Sequence, residues 1–377
     1  MRAAPHGSHS QAMRLVLLAL VLVGLATGCA TGGRPAGRDR LLDAYKAAAE
    51  HMRLARFAEA KPLLDDAVTT LGGLTSGDRT AKQARNLFRA ESSKNFRGEP
   101  YERVMAYYYR GILYWMDGEP DNARACFRSA QLQDSDADNE QYQSDYALLD
   151  YLDGLVTTKL GGGGADALGR AQKNARFGPL PDYDSKANVL VFFELGSGPA
   201  KYASGEYNEE LRFRAGHARS ASLRLASNGS SWTARPADDL TFQATTRGGR
   251  VMDHVLANKA VFKGSTDTFG NAAILSGAIL AGTAGRNTVA DEVGAGLLVA
   301  GLVGKIISAA TTPAADTRAW DNLPNLLGFT ALRLPPGQHT LTAQFLDAAG
   351  NTTLSRDVSF TISEGARDTV LFLSDRP

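Results

Sequence analysis

The sequence predicts an α+β protein: a helical repeat domain, then a β-rich domain of antiparallel, sandwich-like strands with a Gly/Ala-rich helical hairpin insert. Three observations predict it. Between residues 40 and 178 apolar side chains recur at three- and four-residue steps, the period of an amphipathic helix. Between residues 186 and 377 short runs rich in Val, Phe, Thr and Leu alternate with Gly, Pro and Asn turns, the pattern of strands. Over about 265–318 two apolar runs of mostly small residues interrupt the strands.

The chain begins with a processing signal. Leu15–Ala26 is an unbroken apolar run preceded by Arg14 and followed by Thr27-Gly28-Cys29. It has the length of a signal-peptide core and falls short of the roughly 20 residues a spanning helix needs. A small residue before Cys29 resembles a bacterial lipobox, with Leu25 one place further out than usual. Residues 1–28 are therefore expected to be removed and Cys29 to be lipidated; several acyl chains anchor stably where one is marginal. Ala30 after the cysteine implies, by the same resemblance, the periplasmic side of a Gram-negative outer membrane. Residues 29–39, rich in Gly, Pro and Arg, read as a flexible tether.

Arg2 and Arg14 are the only charged residues before Cys29, and the whole chain carries net charge +1. The remainder of the chain is therefore close to neutral. It offers no electrostatic footprint for nucleic acid. Apolar content of 44% and charged content of 21% suit an ordinary folded body, and 377 residues allow two or three domains.

Within the helical region the best-formed stretch runs from Tyr101 to Asp134. Val104, Tyr107, Tyr108, Gly111, Ile112 and Trp115 share one helical face. After Asp117-Gly118-Glu119-Pro120, Ala123, Phe127 and Ala130 form the facing stripe. Gly111, Ala123 and Ala130 allow close approach of two backbones, with Tyr114 and Phe127 filling the remaining space. The stretch resembles a tetratricopeptide repeat, a unit of roughly 34 residues: Tyr107 stands in the Trp slot, Gly111 and Tyr114 in the Gly and Tyr slots, and Ala123 and Phe127 supply A-x3-F. Arg110 and Ser135 depart from the Leu and Pro slots. Arg40–Gly73 reads as a weaker copy, with Ala44, Ala48 and His51 facing Ala60, Leu64 and Ala67. Asp78–Ala90 reads as a further helix, and helical spacing continues from Asp136 to Leu160. The four glycines at 161–164 make a turn into a short helix with Leu168 and Ala171, since no Lys-Ser/Thr follows to make them a phosphate loop.

Strands are expected at Asn188–Glu194, Leu211–Phe213, Ser222–Leu225, Leu240–Ala244, Phe329–Leu334, His339–Leu346, Thr353–Ile362 and Thr369–Leu373. Ala272–Ala284 and Val293–Gly304 are the two Gly/Ala-rich runs. Each is short for a membrane span, and Gly296, Ala300 and Gly304 have the small-xxx-small spacing of close helix crossing. A buried or sheet-covering hairpin is the preferred reading; a contact with lipid or a pore component is the other.

Several segments together are similar to a family of bacterial tetratricopeptide-containing lipoproteins of uncharacterised function. They are Glu91 through Lys94, Phe96-Arg97-Gly98-Glu99-Pro100-Tyr101-Glu102; Glu194-Leu195-Gly196-Ser197-Gly198-Pro199-Ala200-Lys201; Ala315-Asp316-Thr317-Arg318-Ala319-Trp320 with Leu323-Pro324; and Pro336-Gly337-Gln338-His339. The resemblance implies architecture and location and carries no activity with it. Lys94, Phe96, Arg97, Glu99, Tyr101, Glu102 and Arg103 are the candidate partner-binding cluster, with a salt-bridged loop fixing the entry to the repeat as the competing reading. Asp316, Arg318, Trp320 and Pro324 read as structural, Trp320 anchoring a core.

No motif of catalytic spacing is present: no H-E-x-x-H, C-x-x-C pair, P-loop or G-x-S-x-G. No cofactor or metal site is expected. Cys126 beside Phe127 reads as a small buried apolar residue. The expectation is a lipid-anchored scaffold in the cell envelope that binds a protein or peptide through stacked helix pairs and is not an enzyme. An envelope hydrolase or transferase whose site is assembled from distant residues is the alternative.

Overall fold

The computed structural model describes residues 37–74, 95–135, 140–206, 208–246, 314–365 and 367–376. The signal segment, Cys29, Lys94, the helix expected at 78–90 and both Gly/Ala-rich runs lie outside the described residues. The chain is α+β. Among the described residues six helices come first: α1 Arg40–Arg53, α2 Phe57–Leu74, α3 Pro100–Met116, α4 Pro120–Asp134, α5 Ala147–Lys159 and α6 Ala165–Asn174. They pair as hairpins, α1 with α2, α3 with α4 and α5 with α6, and each hairpin packs on the next.

Close approach within the second hairpin depends on one missing side chain. A Cβ placed on Gly111 would lie 2.6 Å from Cε1 of Phe127, nearer than two carbons can pack. Gly118 turns the chain between α3 and α4 at φ +76°, where an L side chain is strained. Helix α3 starts at Pro100, whose lost N–H sits in the first turn where no partner is needed. It buries Tyr101, Val104, Met105, Tyr108, Tyr109 and Ile112.

The described strands form two four-stranded sheets and a hairpin. In chain order they are β1 Val189–Leu195, β2 Ala200–Ser204, β3 Glu210–Arg214, β4 Ser222–Ser227 and β5 Ser230–Ala234. Then come β6 Pro236–Asp239, β7 Leu326–Leu332, β8 Gly337–Leu346, β9 Thr352–Ile362 and β10 Thr369–Ser374. The first sheet has the order β10-β1-β7-β6 and the second the order β5-β4-β8-β9. Strands β2 and β3 pair with each other.

Strand β1 is buried on both faces. Val189, Val191, Phe193 and Leu195 join Leu223, Leu225, Leu341, Ala343 and Phe345 in a core between the sheets. Leu190 and Phe192 join the helices' core, with Tyr108, Trp115 and Trp320. Helices, first sheet and second sheet thus make three layers, and the middle strand reads as continuous apolar residues because neither side meets water.

Three expectations are corrected. The sheets are not wholly antiparallel: β1 runs parallel to β10, with Val189 beside Thr369 and Phe192 beside Phe372. Leu240–Ala244 is not a strand. Leu240–Thr245 is a short helix, α7, because the Asp239 carboxylate accepts from the backbone N–H groups of Thr241 and Phe242 and caps a helical turn. The helix expected from Asp136 begins only at Ala147, after a 3-10 turn at Glu140–Tyr142. No described helix is long and apolar enough to cross a membrane.

Candidate functional site

Three of the segments singled out in the sequence meet at one point. Glu102, in the first turn of α3, is fully buried. Its Oε2 accepts from Lys201 Nζ of β2 at 2.6 Å and from the Glu99 backbone N–H at 2.6 Å. Its Oε1 accepts from the Trp320 backbone N–H at 2.7 Å. Lys201, with its side chain 1% exposed, also donates to the Arg318 carbonyl. The Phe96 and Tyr101 rings flank the ammonium at 5.5 and 6.0 Å to their centroids. Arg318 forks onto Asp316 and reaches Asp39 before α1. Trp320 stacks on Tyr45 of α1, centroids 4.3 Å apart.

These contacts engage most of the described residues of the candidate partner cluster. Phe96, Glu99, Tyr101 and Glu102 are buried. Half-buried Arg103 donates to the Gly98 carbonyl and to Gln133, and Arg97 is the only exposed one among the described members. The four buried side chains offer no docking surface. What they do is hold the start of α3 to β2 and to the 315–320 segment. Breaking a buried pair of this kind leaves an uncompensated charge, so the joint holds only because both Glu102 oxygens are occupied.

A second buried pair lies one layer along. Glu194, at the end of β1, accepts from Arg53 Nε at 2.5 Å and from the Tyr109 hydroxyl at 2.7 Å. Arg53 also donates to the Asn322 carbonyl, to which Arg376 donates as well. Burial, then the charge of Glu194, raise the Tyr109 hydroxyl pKa far above its ordinary value. Arg53 and Tyr109 were not singled out in the sequence, where an Arg at a helix end and a Tyr on a packing face carry no special signal.

Clefts among the described residues include two that open to the surface. The larger, about 320 Å³, lies between α4 and the third hairpin, over Phe127 and Leu149. Gln131 and Arg128 of α4, Asp150 and Asp153 of α5 and Arg170 of α6 line it. Asp153 Oδ1 accepts from both Arg124 and Arg128 at 2.9 Å, and Asp150 Oδ1 accepts from Arg170 at 3.1 Å. Burial raises the Asp150 pKa; Arg170, and to a smaller degree the nearby Gln131 amide, offset part of that. The smaller cleft, about 180 Å³, gathers Ser197, His217, Arg219, Asp375 and Arg376. Ser197 and His217 exchange backbone hydrogen bonds. Asp375 Oδ1 is taken by the Gly196 N–H, so the Ser, His and Asp are neighbours without forming a relay. His339 lies apart, its ring on the Pro335 carbonyl and stacked on Phe360. Pro324 closes on Gly198, where a Cβ would come within 2.7 Å of the Pro324 carbonyl.

The fold and its clefts define an α+β protein with stacked helical hairpins laid on a two-sheet body. Comparison with family models, curated proteins and solved structures finds no match for the chain.

Proposed function

We propose that this chain is a lipid-anchored extracytoplasmic scaffold, tethered through Cys29 to the periplasmic face of an outer membrane. In this reading its hairpins are tetratricopeptide-like repeats, its sheets act as a sandwich-like support, and the helical layer holds an envelope protein or peptide. The observation that carries the binding role is the cleft between the second and third hairpins. It is open, floored by Phe127 and Leu149 and rimmed by half-exposed guanidinium groups, the mix of apolar floor and a few placed polar groups that ligand sites share. The lipobox-like residues before Cys29 support the anchor.

A photo-crosslinker placed at Arg128 in the native envelope tests the binding role. One discrete partner is expected. Equal capture from Arg356, on the far sheet, would sink the reading. For the anchor, Cys29→Ser is expected to abolish acyl labelling and release the protein from the membrane fraction; unchanged fractionation would refute it.

A further inference from the structure

The large cleft has an unusual floor. Asp150 Oδ2 and Gln131 Oε1 are both shut away from water and have no hydrogen-bond partner. Asp150's side chain is only 7% exposed. Gln131's amide nitrogen donates to the Tyr146 carbonyl at 3.0 Å, which leaves the oxygen on the other side. The same amide lies near enough to Asp150 to favour its charged form, yet it makes no hydrogen bond that satisfies Oδ2. Buried acceptors without donors are costly and rare, and each calls for an explanation. Around this floor the chemistry reverses: Arg128 and Arg170 have side chains 58% and 54% exposed, each tied to a carboxylate through Nε. The carboxylates are buried, but the arginine arms themselves stand in water, where they can swing aside and use their remaining N–H groups elsewhere.

Three ligand chemistries compete for such a site. A cation meets three guanidiniums, those of Arg124, Arg128 and Arg170, around two carboxylates, and is repelled on balance. A carboxylate satisfies the arginines but brings no donor to the two bare oxygens. A primary amide carries two N–H donors and one carbonyl acceptor with no charge, and its methylene stem suits Phe127 and Leu149.

We propose that this cleft, with the Arg128 and Arg170 arms swung aside to uncover the two buried oxygens, recognises a side-chain carboxamide of a partner peptide, a Gln or Asn, with its N–H groups on Asp150 Oδ2 and Gln131 Oε1 and its carbonyl on Arg128 or Arg170. The inference rests on the scaffold role and names the chemistry of the partner. The test uses the full chain in detergent and four blocked, labelled pentapeptides, alanine throughout except for a central Gln, Glu, Lys or Met, followed by fluorescence anisotropy. The backbone amides are common to all four and cancel. The Gln peptide is expected to bind about tenfold or more tighter than the others, and Asp150→Asn or Gln131→Met is expected to erase that preference. Tightest binding by Glu or Lys, or four equal affinities, overturns the inference and leaves the scaffold role standing if crosslinking at Arg128 still captures a partner. No binding together with no crosslinked partner sinks both. The ranking on the unaltered protein decides the matter even where a variant fails to fold.

Discussion

Asp238 offers the sharpest quantitative prediction. It sits in β6, fully buried, and accepts from the first-turn backbone N–H groups of α5, Ala147 at 3.1 Å and Leu148 at 2.8 Å. Burial is the main cause pushing its pKa up to about 7; the two backbone hydrogen bonds pull it down, and the charges of Asp145 and Asp134 push it up again. Arg176 and Gln243 face Asp145 from the other side. Linkage sets the sign. Below the ordinary carboxylate value of 3.8 both folded and unfolded chains hold the proton. Between there and about 7 the unfolded chain has released it while the folded chain keeps it, so stability falls as pH rises and then levels off. A shift of roughly 3 units corresponds to about 4 kcal/mol. Asp238→Asn removes the titration and leaves one backbone N–H without its acceptor, at about 1–3 kcal/mol. Urea unfolding followed by circular dichroism at pH 5, 6.5 and 8 reads the difference. Relative to the variant, the wild type is expected to lose about 2–3 kcal/mol of stability between pH 5 and pH 8. A constant offset across all three pH values would refute the reasoning, because it would show that Asp238 does not change protonation on folding.

Other perturbations have equally definite outcomes. Lys201→Met leaves Glu102 buried without its cation, and urea midpoints should report a loss of about 3–5 kcal/mol; the double variant with Glu102→Gln should recover part of it. Gly111→Ala drives a methyl into the Phe127 ring and should cost about 1–3 kcal/mol, with partial rescue by Phe127→Leu; no cost would mean that the hairpin does not close as described. Burial raises the Cys126 thiol to about 11, so iodoacetamide should label it at pH 8 no faster than the chain unfolds.

The sequence and the structure agree where local pattern and burial coincide. The stripe of α3 and the run at 189–195 were legible because helical period and two-sided burial leave marks within a few residues. Leu240–Ala244 misled because apolar residues at alternate positions match a strand's period, while the deciding group, the Asp239 carboxylate, lies just outside the run. The parallel partner of β1 left no mark at all: Thr369–Ser374 is far away in sequence, and a parallel register is set by what the intervening chain does. Lys201 and Glu102, or Arg53 and Glu194, likewise carry no local signal of each other.

That blind spot explains why the charged approach to α3 resembled a docking surface. In a sequence, Phe96 to Arg103 has the composition of a contact patch, aromatic rings among charges. Composition does not say whether the partner is another protein or another part of the same chain. In the folded protein β2 and the 315–320 segment occupy that role: Lys201 and the Trp320 backbone take both Glu102 oxygens. A charge is kept inside a protein only where its partners are assured, so a motif built of such groups belongs to the joint between layers. Gln131 and Asp150, which fill no slot of any motif, instead line an open cleft and each keep a buried oxygen without a hydrogen-bond donor. A buried acceptor without a donor has to be found in three dimensions, and it is the better place to look for a second molecule.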